Sequence, residues 1–349
     1  MIRPRAARAG SVRGRAKPDG PGRAGLAPLL LAGLFLAAPP AAADALRYCD
    51  RQLHLTAHDE DQLFRLAGIV KTTLAQSGER VAIVARSGLD LSRFGVRYSH
   101  AGLGLRDSAN APWSVRQLYY ACDEGRSRIF DQGLPGFLLG TDDPHVGYLS
   151  VVLLPPAQAA AAEAAGLDNA QALALLSGEY SANAYPFSVK YQNCNGWLEE
   201  LLAVAWAPSW PVGEPAGPAA PVAPGTPVAP GEPPVESDTP PPPRTRADAQ
   251  RWLATHGYHP SVVEAGAYMP LASFIPHLHN DDHPDEELRQ RRFTVGLPAG
   301  LEAFVHAQLP GATRIEFCHA GPRVVVHRGW TPVAEGCVPG PDDEVVTLD

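Results

Sequence analysis

Tyr191-Gln192-Asn193-Cys194-Asn195-Gly196-Trp197-Leu198-Glu199-Glu200-Leu201-Leu202 is the stretch from which the rest of the chain is read. A polar, turn-forming pair, Gln192 and Asn193, carries a single cysteine into an apolar pattern at helical spacing: Trp197, Leu198, Leu201, Leu202 and Ala205. Asn193 has the chemistry of an N-cap, so Cys194 is expected in the first turn of a helix. A thiol at that position meets the positive end of the helix dipole and free backbone N–H groups, which favour the thiolate. That environment suits a nucleophile. The competing reading is a small buried apolar residue, the usual fate of a free cysteine.

Upstream, Gly95-Val96-Arg97-Tyr98-Ser99-His100-Ala101-Gly102-Leu103-Gly104-Leu105-Arg106 reads as a strand. Its period of two puts Tyr98, His100, Gly102 and Gly104 on one face, leaving open ground beside the imidazole. A turn through Pro112 leads to a returning strand, Trp113 to Ala121, with Val115, Gln117 and Tyr119 on one side. His100 as base, Gln117 as the group orienting its ring and Cys194 as nucleophile have the residue types of a cysteine hydrolase or transferase. Gln192, or the backbone N–H of Cys194, is a candidate oxyanion donor. A strand histidine satisfied by its neighbours and a cross-strand surface amide are the bland alternatives for His100 and Gln117.

The N-terminus has three parts. Arg3, Arg5, Arg8, Arg13, Arg15, Lys17 and Arg23 make a basic region, Leu26 to Ala38 an apolar run, and Ala41-Ala42-Ala43-Asp44-Ala45 a small-residue cleavage region. This order is that of a secretory signal peptide over residues 1–45, with an uncleaved anchor as the alternative. The mature chain is then expected to be periplasmic or secreted, with no stable transmembrane segment after cleavage. A net charge of −8 argues against nucleic acid as a main partner. In an oxidising compartment the five cysteines should pair where geometry permits. Cys318 with Cys337 is the natural pair and Cys49 with Cys122 a second, which leaves Cys194 free.

Helices are expected from about Asp59 to Gln76, through the alanine-rich segment Pro156 to Leu176, and from Ala247 to His256. Strands are expected at Val81 to Ala85, Phe130 to Leu139, Gly147 to Leu154, Arg314 to Cys318 and Arg323 to Arg328. Between them, Ala207 to Arg244 is a Pro/Gly/Ala/Val tract with almost no large apolar side chains, a polyproline-prone linker. The organisation expected is therefore a Cys/His domain at 46–206, a linker at 207–246 and a small C-terminal α+β part at 247–349. That last part either stands alone or docks on the first. His277, His279, Asp281, Asp282 and His283 have the ligand types for a divalent metal, but their spacing fits no established pattern, and a solvated loop capping a helix fits as well. No cofactor is expected.

The order of histidine first and cysteine last, in "SHAGL" and "NCNGWLEELL", resembles the circularly permuted papain-like core of the NlpC/P60 superfamily. The resemblance implies an α+β fold with an antiparallel sheet, and a cysteine hydrolase or transferase acting on an amide or ester bond. The substrate it implies is a cell-envelope peptide or acyl group such as a peptidoglycan stem peptide. Over nearly all of the mature chain, "RYSHAGLGLRD", "WSVRQLYYACDE", "FDQGLPGFLLGTDDP", "YSANAYPFSVKYQNCNGWLEELL", "DDHP" and "RIEFCH" resemble the exported bacterial family called domain of unknown function 2145. That family implies export and no particular reaction. The rival expectation is a non-catalytic envelope binding protein, metal-binding through the histidine-rich run.

Overall fold

The computed structural model describes residues 55–122, 124–209, 244–269, 275 and 277–348. The expected signal peptide, Cys49 and the proline tract between 210 and 243 lie outside the described residues. Helix α1 (Ala57–Gln76) starts at Thr56, whose hydroxyl accepts from the Asp59 N–H while the Asp59 carboxylate accepts from the Thr56 N–H. This reciprocal cap satisfies two otherwise orphaned donors.

The elements that follow are β1 (Val81–Arg86), β2 (His100–Leu105), β3 (Ser114–Ala121), β4 (Arg126–Gln132), α2 (Leu134–Leu139) and β5 (Val146–Leu153). The expected strand at 130–139 is thus overturned in its second half. Pro135 sits in the first turn of α2, where its missing N–H costs nothing. The alanine-rich segment divides into α3 (Pro156–Leu167) and α4 (Asn169–Ala174), because Asp168 turns out of the helix and caps the next one through Ala170 and Gln171. Then come α5 (Cys194–Trp206), α6 (Arg246–Thr255), β6 (Ser261–Glu264), α7 (Asp285–Arg289), β7 (Arg292–Val295) and α8 (Pro298–Gln308). Strands β8 (Thr313–Ala320), β9 (Arg323–Arg328) and β10 (Glu344–Thr347) end the chain.

Eight strands form one antiparallel sheet in the order β10-β9-β8-β5-β1-β2-β3-β4, and β6 pairs with β7 separately. The C-terminal region does not stand alone. β8 pairs with β5 along its whole length, from Val146↔Ala320 to Leu153↔Thr313, so residues beyond the proline tract complete the sheet begun before it. This corrects the division into a 46–206 domain and a separate 247–349 part, since Ala45–Asp349 makes one compact unit.

Two cores flank the sheet. On one side Leu63, Leu66, Val70 and Leu74 of α1 and Phe137 of α2 pack on Val84, Val115 and Val151. On the other, Leu198, Leu201 and Leu202 of α5 pack on Ile83, Leu103 and Leu118, together with α3, α6 and α8. Burial on both faces explains why Val81–Ala85 reads as uninterrupted apolar sequence. Cys318 and Cys337 form the expected disulfide, and Cys122 is disulfide-bonded as well. Among the described residues Cys194 is the free cysteine, and no helix is long and apolar enough to cross a membrane.

Candidate active site

Asn193 caps α5 as expected: its side-chain oxygen accepts from Gly196 N–H at 2.7 Å, with extended backbone at the cap. Cys194 is therefore the first residue of the helix. The N–H groups of Cys194 and Asn195 point at its sulfur. The helix start is stitched down by two amides. Asn193 Nδ2 donates to Gly296 O at 3.1 Å, and Asn195 Nδ2 donates to Gly296 O at 3.0 Å and to Ser99 O at 3.2 Å. The Ser99 bond brings the cysteine turn against the residue that precedes His100.

His100 opens β2, facing Arg86 across the β1–β2 ladder. Its Nε2 is hydrogen-bonded to Gln117 Oε1, and Gln117 Nε2 donates to Gln132 Oε1 at 2.7 Å. The second bond fixes which end of the Gln117 amide meets the ring. An acceptor at Nε2 requires the proton there, so the lone pair of the neutral imidazole is at Nδ1. Phe137 walls the ring at 5.8 Å between centroids, and the Arg86 guanidinium lies 5.1 Å over the same phenyl. Gly102 is not the open ground beside the imidazole that its sequence position suggests. A Cβ there would lie 2.5 Å from Val115 Cγ1 and 2.8 Å from Arg116 O. The glycine lets β3 close in, which is what brings Gln117 within reach of His100.

The electrostatics differ from the expectation of a stabilised thiolate. Burial pushes the Cys194 thiol up to about 12, against smaller downward pulls from the Asn195 N–H and Arg86. Burial and the Arg86 charge push His100 down to about 3, outweighing the Gln117 bond. Both shifts favour the neutral thiol and neutral imidazole over the thiolate–imidazolium pair. The resting pair is neutral. Among the described residues no hydrogen bond joins the Cys194 sulfur to the His100 ring; Cys194 packs against the α5 core and the His100 ring lies against Phe137.

Gln192 does not serve as an oxyanion donor. Its Nε2 donates to Leu175 O at 3.0 Å and to Glu200 Oε2 at 2.6 Å, and its Oε1 accepts from Ser177 N–H at 2.9 Å. Every polar atom of the amide is spent holding the loop that enters α5. The backbone N–H groups of Cys194 and Asn195 are the donors left facing the thiol.

The histidine-rich run does not converge either. His283 is buried and bonded to Asn183 O at 2.7 Å, His279 stacks on Tyr191, His277 packs against Tyr120, and Asp281 pairs with Lys190 at 2.5 Å. Among the described residues no group of three or more His, Cys, Asp or Glu side chains is placed to hold a metal ion. The run is a structural loop that braces the segment leading into α5, through Ala182 N–H to His277 O at 2.7 Å and Tyr185 N–H to Asp282 at 2.8 Å.

Two residues near the site escaped the sequence reading. Arg86, the last residue of β1, is 7 % exposed although it follows an apolar run. Glu199, inside the helix motif, is 1 % exposed, and burial pushes its carboxyl up to about 8 with the Tyr258 hydroxyl beside it. An acidic residue next to Glu200 on a helix ordinarily faces water, so only the approach of Gly296 and Tyr258 to α5 reveals it.

The fold and these residues define an α+β protein with a large antiparallel sheet and a cysteine at a capped helix start. Residues 73–305 match the family model described as an uncharacterized protein conserved in bacteria, DUF2145, and the chain belongs to that family. No curated protein and no solved structure matches the chain.

Proposed function

We propose that the protein is an exported cysteine hydrolase or transferase that cleaves an amide or ester bond through Cys194 and His100. The observation that supports this reading best is the chain Gln132–Gln117–His100, which leaves the imidazole lone pair at Nδ1. The likeness of the "SHAGL" and "NCNGWLEELL" motifs to the permuted papain-like NlpC/P60 core points the same way. A cell-envelope peptide or acyl group is the substrate class this suggests.

Because the resting pair is neutral, proton transfer accompanies attack rather than preceding it. In the proposed reaction Sγ attacks the carbonyl carbon as its proton passes to His100 Nδ1. The oxyanion that forms is met by the N–H groups of Cys194 and Asn195 at the positive end of α5. His100 then returns the proton to the leaving amine or alcohol, and water or an acceptor nucleophile releases the acyl group. Gln117 holds the ring as the imidazolium forms.

The test is acylation by p-nitrophenyl acetate. A burst of one equivalent of p-nitrophenol, absent from Cys194→Ala and at least about a hundredfold slower in His100→Ala, is expected of a general base. No burst from the wild type, or an equal burst from Cys194→Ala, would overturn the proposal.

A further inference from the structure

A groove of about 1450 Å³, larger than a drug-sized ligand needs, lies outside the Cys194 and His100 residues themselves. Tyr98 and Leu297 are among its lining residues, two residues from His100 and one from Gly296 respectively. Two guanidiniums lie in its floor, and both are already consumed. Arg314 pairs with Glu302 at 2.8 Å and Glu316 at 3.1 Å, and donates to Tyr98 Oη at 2.9 Å. Arg97 pairs with Glu316 at 2.9 Å and Glu335 at 2.5 Å, and donates to Val333 O at 2.7 Å. Three carboxylates therefore answer two cations.

Glu302 lines the groove and is 8 % exposed; burial pushes its carboxyl up against the pull of Arg314, and its Oε1 has no hydrogen-bond partner among the described residues. An uncompensated buried acceptor is costly unless a donor arrives to meet it. At the mouth Asp90, Asp142 and Asp143 are exposed. Their bonds go to loop N–H groups and the Ser92 hydroxyl, with no ion pair among the described residues. Trp330, stacked on His306 on one face, adds an aromatic wall. An anionic ligand would find no free guanidinium here.

We propose that this groove binds a peptide carrying free ammonium groups. One ammonium meets Glu302, others meet the aspartates at the mouth, and the apolar wall covers the peptide body. The inference does not depend on the chemistry of Cys194.

Isothermal titration of the full mature protein with the peptide Lys-Ala-Ala-Lys, its fully acetylated form and Glu-Ala-Ala-Glu tests it. The lysine peptide should bind, more weakly as salt rises. Acetylation should weaken it at least about tenfold. The double change Asp142→Asn/Asp143→Asn, at exposed positions that leave the fold intact, should weaken the lysine peptide about fivefold or more. Glu302→Gln should weaken it further, and Cys194→Ala should bind it unchanged, which separates this result from the catalytic one. Equal binding of the acetylated peptide, preference for the glutamate peptide, or no binding of the lysine peptide to the wild type would each overturn the proposal.

Discussion

At the scale of single residues, burial outweighs the helix dipole. Cys194 sits where a dipole favours a thiolate, yet desolvation drives it the other way. Its ionisation, followed by thiolate absorbance, should show no midpoint below pH 10, in contrast to an ordinary thiol. Glu199 gives a second expectation. Its carboxyl, raised from 4.5 to about 8 by burial, keeps a proton in the folded chain that the unfolded chain releases. Between pH 4.5 and 8 the folded state binds more protons, so this group makes stability fall as pH rises. Glu199→Gln should flatten that slope and raise the urea midpoint at pH 8 relative to wild type. His100, lowered to about 3, acts in the opposite sense: its contribution is lost as pH falls from 6.5 towards 3. A Glu199→Gln protein with the same slope as wild type would place the buried proton elsewhere.

At the scale of elements, the cysteine helix was legible because it is local. A capping asparagine, a cysteine and apolar residues at helical spacing lie within one short stretch, and the structure returns them as α5 with Asn193 at its cap. Asn193→Ala should cost about 1 kcal/mol for the lost cap, and more because the Gly296 tie goes too. Asn193→Asp keeps the cap and should recover part of the loss in urea unfolding. The β2–β3 hairpin was equally legible, but the role of its glycine was not. Alternation says which face Gly102 is on and nothing about how near the next strand comes. Gly102→Val should therefore push β3 away and break the His100–Gln117 bond. The expected reading is loss of the acylation burst in a chain that still folds, with stability reduced by about 1–3 kcal/mol for overpacking. The role given to Gln192 failed for the converse reason: its partners Leu175, Ser177 and Glu200 converge only after the loop folds.

At the scale of the molecule, long-range pairing was invisible in the sequence. Composition marks a proline tract and suggests a boundary, but the β8 partners of β5 lie 160 or more residues further on. The groove floor joins Arg97 to Glu316 and Glu335 across more than 200 residues for the same reason. Calorimetry of the chain should show one cooperative transition. A fragment of residues 46–206 should aggregate, since β5 would present an unpaired, apolar edge. Function at this scale rests on whether the two sides of the site act together. The pH dependence of Cys194 acylation by p-nitrophenyl acetate, wild type against His100→Ala, tests that most directly. A neutral imidazole base with a pKa near 3 beside a thiol near 12 predicts a wild-type rate that is flat from about pH 5 to 9. The variant, left with hydroxide alone, should rise about tenfold per pH unit over the same range. Identical profiles for the two proteins would contradict the pairing of His100 with Cys194.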